Sequence, residues 1–467
     1  MKVIYNGEYK LIDNTGKKFI YKHSSDIPSS YKDKIFEIEI EEGVTSIPKR
    51  AFERCESITN ITIPNSVSVI GEKAFFGCYK LKEIKLPDNI TQINSQVFSW
   101  CVALEEIQLP KNVKEIDSYA FAHCTALNKI NLPKGLIKIG NNAFEDCITL
   151  KEIKIPDNIF KIESSAFERC THLKHINIPE KNINMISDNL FANCSSLKSI
   201  VIPDNITEID EGAFVNCKSL SEIKLPKNIT EIKKATFWGC ASLERIDLPE
   251  NITEIGMCAF NETALQVIEL PKNLETIAQG AFADCISLAK ITIPKSVTSI
   301  NKLAFSNCDN LYSIIFEDSS NTTIHYTAFS ECNKIDLKSI KDIFYPIVKN
   351  IDKNDISDFL RLYFVKCSSE LIQELMTLNM GFFDIADDMN KEVFLEAALD
   401  SIIDILYCHI KDTIIKTELC NIEIKEDKYF IYLFDDPYKI SEITEDHYIQ
   451  KIDDVLNKFK SKEEIER

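Results

Sequence analysis

The sequence has no run of about eighteen apolar residues, the length that a membrane-crossing helix requires, and no block of basic residues. It opens Met1-Lys2-Val3-Ile4-Tyr5-Asn6-Gly7-Glu8, without the apolar stretch of a secretory leader. The expectation is a soluble, cytoplasmic protein with no membrane insertion; the alternative is the cell surface, reached by a non-classical route. Positive charge is in short supply as well, with 54 Lys and Arg against 72 Asp and Glu and a formal net charge of −18. Such a chain repels phosphate backbones and anionic membrane surfaces, so nucleic acid is not an expected partner.

Catalytic signatures are missing too. There is no Gly-x-Ser-x-Gly elbow and no Cys-x-x-Cys pair. Gly16-Lys17-Lys18 lacks the upstream glycine and the final Ser or Thr of a phosphate-binding loop. The acidic stretch from Asp352 to Asp358 lacks the glycine of a calcium loop. No catalytic residue, metal or cofactor is expected, and the chain reads as a non-enzyme.

What is present is repetition. Phenylalanine, usually as Ala-Phe, recurs from Phe52 through Phe75, Phe98 and Phe121 to Phe329 with a period of 23 and single-residue slips. A second column is isoleucine in every repeat, from Ile38 through Ile61 and Ile84 to Ile314. The unit is clearest at Leu81-Lys82-Glu83-Ile84-Lys85-Leu86-Pro87. Leu81, Ile84 and Leu86 suit the inner face of a short strand with polar residues outside. Pro87, which cannot donate to a ladder, ends it. Ile90 and Ile93 suit a second short strand, and Val97-Phe98 a single helical or 3₁₀ turn that lays the ring into the core. One coil cannot bury three apolar edges alone, so stability must come from stacking. Thirteen coils spaced by roughly 4.8 Å would make a rod on the order of 60 Å long.

Residues 35–333 therefore resemble the BspA-like class of leucine-rich repeats, marked by a leucine-x-x-isoleucine-x-(isoleucine or leucine)-proline strand followed by alanine-phenylalanine and cysteine. The resemblance implies an α/β-repeat, leucine-rich-repeat solenoid with a parallel sheet. It also implies a role as an interaction module, since such proteins are commonly surface-displayed adhesion or interaction modules in bacteria and protists.

The ends depart from the repeat. In the expected N-terminal β cap, residues 1–34, Val3-Ile4-Tyr5 and Glu8 to Leu11 form a hairpin about Asn6-Gly7, and Lys17 to Tyr21 adds a strand. Residues 334–467 form the expected C-terminal region, mainly helical. A capping helix would start near Lys338 on Ile340, Ile343, Phe344, Ile347 and Val348, with further helices at 355–365, 369–379, 390–406 and 446–461 and a strand from Lys428 to Phe434.

Twelve cysteines stand three residues after the phenylalanine, among them Cys55, Cys78, Cys101 and Cys332. Their expected role is that of small, partly apolar core residues, and free thiols in such number suit a reducing compartment. Cys170, His172 and His175 are close in sequence, but the thiol should face the core and His175 the outer strand surface. Asn-x-Thr triplets such as Asn89-Ile90-Thr91 and Asn251-Ile252-Thr253 follow from the repeat itself and say nothing firm about glycosylation.

The exposed strand positions form polar columns in which opposite charges often sit side by side. Arg245 and Lys290 belong to one of them. Aromatic or arginine anchors, which binding hot spots need, occur on this sheet near its C-terminal end, at Tyr312, Ile315 and Phe316. These five residues are the candidate partner-binding positions. Phe76, Trp100 and Trp238 follow the buried ring and are candidates for exposure on the coil backs. The expected function is a non-enzymatic protein-protein interaction scaffold; the alternative is an adhesin binding host or matrix proteins. Oligomeric state is left open.

Overall fold

The computed structural model describes residues 9–13, 16–21 and 32–335, three further positions at 339, 343 and 347, and the strands Cys420–Lys425 and Lys428–Leu433. The repeats form a parallel-strand β-solenoid of about 13 coils. The chain divides into two compact units, Met1–Asn273 and Leu274–Arg467.

Most coils begin with a strand of two to four residues whose isoleucine points inward; the first, Ile35–Ile40, has six, and the coils of Ile246 and Ile268 keep the buried isoleucine without a strand. Glu106–Gln108 pairs in parallel with Lys129–Asn131, Ile107 opposite Ile130, both buried between exposed neighbours. In the coil of Leu81 this strand shrinks to one bridge, Lys85 to Gln108, while Leu81, Ile84 and Leu86 remain buried. The proline after the strand opens a turn: its carbonyl accepts the N–H three residues on, as Pro87 does from Ile90 at 3.2 Å. A second strand of two residues follows, such as Glu115–Ile116 against Lys138–Ile139.

The phenylalanine segment differs from the expected helical turn. The residues two before and two after the ring adopt left-handed backbone, for example Arg50 and Arg54 around Phe52 and Tyr119 and His123 around Phe121. This alternation turns every second N–H toward the following coil, so that Tyr119, Phe121 and His123 donate to the carbonyls of Asn141, Ala143 and Glu145 at 2.7–2.8 Å. The intervening N–H groups close short turns, Ala120 to Asp117 and Ala122 to Tyr119. A helix would keep all these bonds within one coil, whereas a solenoid must spend half of them between coils.

The rings stack along each unit. From Phe52 to Phe260 the centroids are 5.4–6.0 Å apart. In the second unit Phe282, Phe305 and Phe329 stack at 5.1 and 5.0 Å.

At the N-terminal end, Tyr9–Asp13 pairs antiparallel both with Lys18–Tyr21 and with the first solenoid strand, Ile35–Ile40. The hairpin thus turns between Asp13 and Lys18, where Gly16 has φ +80°; the expected turn at Asn6-Gly7 lies outside the described residues. Lys32 Nζ donates to the Glu53 carbonyl at 3.2 Å, placing a positive charge at the carbonyl end of the turn ladder. In the C-terminal region Ser339, Ile343 and Ile347 are helical and buried, with Ser339 Oγ bonded to the backbone of Ile314. Cys420–Lys425 and Lys428–Leu433 form an antiparallel hairpin, of which only the second strand was expected. The other helices expected beyond residue 350 lie outside the described residues.

Candidate interaction surfaces

The strand face of the second unit carries four of the five candidate residues. Lys290–Ile293 and Ser313–Phe316 pair in parallel, with Lys290 opposite Ser313 and Thr292 opposite Ile315. Tyr312 joins this pair through its N–H, which donates to the Ala289 carbonyl at 3.0 Å. Its side chain is 48% exposed and that of Ile315 40%. Phe316 stands opposite Ile293, which is fully buried, so it occupies the inward position and is only half exposed. Alternation explains this: Ile314 and Phe316 share the core side and Ile315 the outer side. Arg245 belongs to the first unit, where it is exposed in a coil whose first segment is not paired as a strand.

On the coil backs of the first unit, the left-handed position after each phenylalanine builds a second surface. Trp100, His123, Asp146 and Arg169 follow one another there at intervals of one coil. The indole and imidazole stack with centroids 4.2 Å apart. His123 Nδ1 is 2.9 Å from Asp146 Oδ2, and Arg169 Nη2 is 2.8 Å from the same oxygen. Glu145 stands beside them; burial above all raises its carboxyl pKa, the effect of Glu168 and Asp146 adds to it, and His123 opposes it. His123, Glu145 and Asp146 have metal-ligand chemistry within 4.8 Å of one another. The Arg169 guanidinium, however, already supplies the cation that Asp146 needs. Of this row the sequence singles out Trp100 alone, as a residue exposed on the coil back. The available signal was arithmetic: each of the four lies two residues beyond its phenylalanine.

The cysteine column faces the core. Cys78 Sγ donates to the Phe52 carbonyl at 3.4 Å, Cys147 Sγ to that of Phe121 at 3.3 Å and Cys217 Sγ to that of Phe191 at 3.2 Å. The thirteen described cysteines are all free thiols. Cys170 makes the same bond to Phe144, while His172 Nδ1 lies 2.8 Å from the Ile148 carbonyl and His175 is exposed on its strand. The three side chains do not converge.

A strand, a proline turn, a second strand and a phenylalanine-cysteine corner therefore recur in most coils, and the same pattern defines a known family. The BspA type leucine-rich-repeat region matches with six copies over residues 29–126, 91–221 and 209–336. The chain belongs to this family. No curated protein matches it. Among solved structures, a leucine-rich-repeat protein from Bacteroides ovatus is 25% identical with a TM-score of 0.52, the match covering 72% of this chain and 94% of that one. A leucine-rich cell surface protein from Faecalibacterium prausnitzii is 27% identical with a TM-score of 0.43, over 68% of this chain and 96% of that one.

The Asn-x-Thr triplets have a structural use in this BspA-type solenoid. Asn89 and Asn251 donate their amides to the carbonyls of Asn65 and Lys227 one coil earlier, at 2.8 and 3.2 Å, and Thr253 Oγ1 donates to Thr230 at 3.2 Å. Trp100 and Trp238 are each 41% exposed, and Phe76 is half-buried with Lys73 Nζ 5.9 Å from its ring centre. Among the described residues no helix is long and apolar enough to cross a membrane.

Proposed function

We propose that this BspA-type chain is a non-catalytic scaffold that binds a protein partner, and that the partner docks on the strand face around Tyr312 and Ile315. The observation that carries the reading is the exposure of these two large side chains, 48% and 40%, on a face of short polar columns held rigid by paired strands. An aromatic anchor beside an aliphatic one, with Lys290 and Thr292 on the neighbouring strand, has the composition of a binding hot spot with a polar rim. Arg245 would serve a contact on the first unit. The compartment proposed is intracellular and reducing, supported by thirteen cysteines none of which is in a disulfide.

The test is co-purification from the source cells with tagged full-length chain, comparing the natural sequence with Tyr312→Ala/Ile315→Asp. A bound protein should fall by about tenfold or more with the double variant while circular dichroism stays unchanged. An identical set of bound proteins with both chains would overturn the docking site. Protease treatment of the intact cells before lysis tests the compartment: protection supports the intracellular reading, and loss of the tagged solenoid favours an adhesin.

A further inference from the structure

Exposed apolar side chains also gather on the second-strand face of the first unit. Ile137 is 40% exposed, Phe160 68% and Met185 36%. Ile137 and Phe160 sit on adjacent coils, joined by the Phe160 N–H donating to the Ile137 carbonyl at 2.7 Å. Their column is polar elsewhere, with Lys114, Asn184 and Glu275 beside hydroxyl residues that bind the coil before: Ser68 to Thr45, Thr207 to Asn184 and Thr253 to Thr230. At Ile137 and Phe160 that side-chain bond is given up and apolar surface is set in water instead. A monomer gains nothing from this exchange.

The neighbouring column reads Glu115, Lys138, Lys161, Met185, Glu208, Glu231, Glu254 from coil to coil. Like charge lies on like charge: Lys138 is in register with Lys161, and Glu231 with Glu254. Such pairs destabilise a ladder. Relief within the chain is partial. Glu163 bridges Lys161 at 2.9 Å and Lys138 at 3.8 Å, and Lys233 bridges Glu208 at 2.5 Å. Burial, then Glu254, holds the Glu231 carboxyl above the usual carboxylate range.

The order Lys, Lys, Met, Glu, Glu changes sign about Met185. Reversing it yields its own complement, whereas a parallel copy would set lysine against lysine. We propose that this face binds a second copy of the chain across a two-fold axis through the Met185 coil. Lys161 then meets the partner's Glu208 and Lys138 the partner's Glu231, while Phe160 and Ile137 leave water at the edge of the contact. A two-fold interface uses one patch twice and must be self-complementary, as the five positions from Lys138 to Glu231 are; one coil further out Glu115 would face the partner's Glu254, so the paired contact ends at Lys138 and Glu231. A different protein would need no sign reversal in the middle of its docking site.

The experiment is sedimentation equilibrium of the full chain over a range of concentrations, at low and high salt. The natural chain should dimerise, more weakly in high salt. Phe160→Asp should leave a monomer, and its exposed position keeps the fold intact. Lys161→Glu should weaken the dimer by about tenfold, and adding Glu208→Lys to it should restore most of the loss, because the pair is remade with its signs exchanged. A natural chain that stays monomeric throughout, a dimer indifferent to Phe160→Asp, or a charge exchange that restores nothing would each overturn the proposal. Tyr312 and Ile315 lie outside this face, so their variants should dimerise normally.

Discussion

A phenylalanine carbonyl at the corner of each coil has two lone pairs and one backbone donor, the N–H three residues on, as in Cys124 to Phe121 at 3.1 Å. The thiol of the next coil supplies the second donor, Cys147 to the same carbonyl at 3.3 Å. Alanine would fit the slot but leave that lone pair unbonded in a dry core. Cys147→Ala should therefore cost roughly 1–2 kcal/mol, part for the lost bond and part for the void, read as a lower urea midpoint. Serine, smaller but still a donor, should recover part of it. Equal stability of the alanine variant would reduce the thiol to a filler. The sequence shows the column and its spacing plainly. It hides the bond, because the acceptor lies one coil away and only the register brings it near.

At the scale of the element, the strand, the proline and the buried isoleucine were readable from period-2 alternation and a missing N–H. The corner was not. Its left-handed positions hold Arg50, Gln96, Trp100 and Tyr119, residue types that do not by themselves prefer that backbone. Coils with Gly or Asn there, such as Gly77, Asn142, Asn189, Asn193, Gly212, Asn216, Gly239 and Asn307, betray it. The need to share N–H groups between coils sets this geometry. The ring between the two left-handed residues is then held by its neighbours on both sides. Phe144 is fully buried between Phe121 at 5.4 Å and Phe167 at 5.5 Å. Phe144→Ala should lower unfolding free energy by about 3–5 kcal/mol, measured by denaturant titration with circular dichroism. A loss under about 1 kcal/mol would mean that the stack closes over the gap.

For the whole molecule the thiol column has a collective effect on pH. Burial pushes the Cys55 and Cys240 thiols up to about 12 from an ordinary 9.0, and shifts Cys78, Cys147 and Cys217 in the same direction. The unfolded chain gives up these protons first, so it binds fewer than the folded chain and stability falls as pH rises. This contribution is complete below 9.0 and is lost between 9.0 and about 12. Thermal melts across that window should show a falling melting temperature, less steep in Cys147→Ala; a flat profile would contradict the burial of the column. The surfaces were less legible than the core. Tyr312 and Ile315 stand out as apolar letters in a polar column and Trp100 as an indole beside the buried ring, but His123, Asp146 and Arg169 look ordinary until the period aligns them.

In each unit the corner ladder sends its N–H groups toward the following coil and receives the preceding coil's on its carbonyls. Every coil thus offers the next one the same docking template, in one sense only. A block of one full period can be duplicated or excised and the junction will find the same donors facing the same acceptors, whereas a reversed block cannot mate at all. The length of such a molecule is therefore free to drift by whole coils over its history, and its surface columns are lengthened or shortened without redesign of the core.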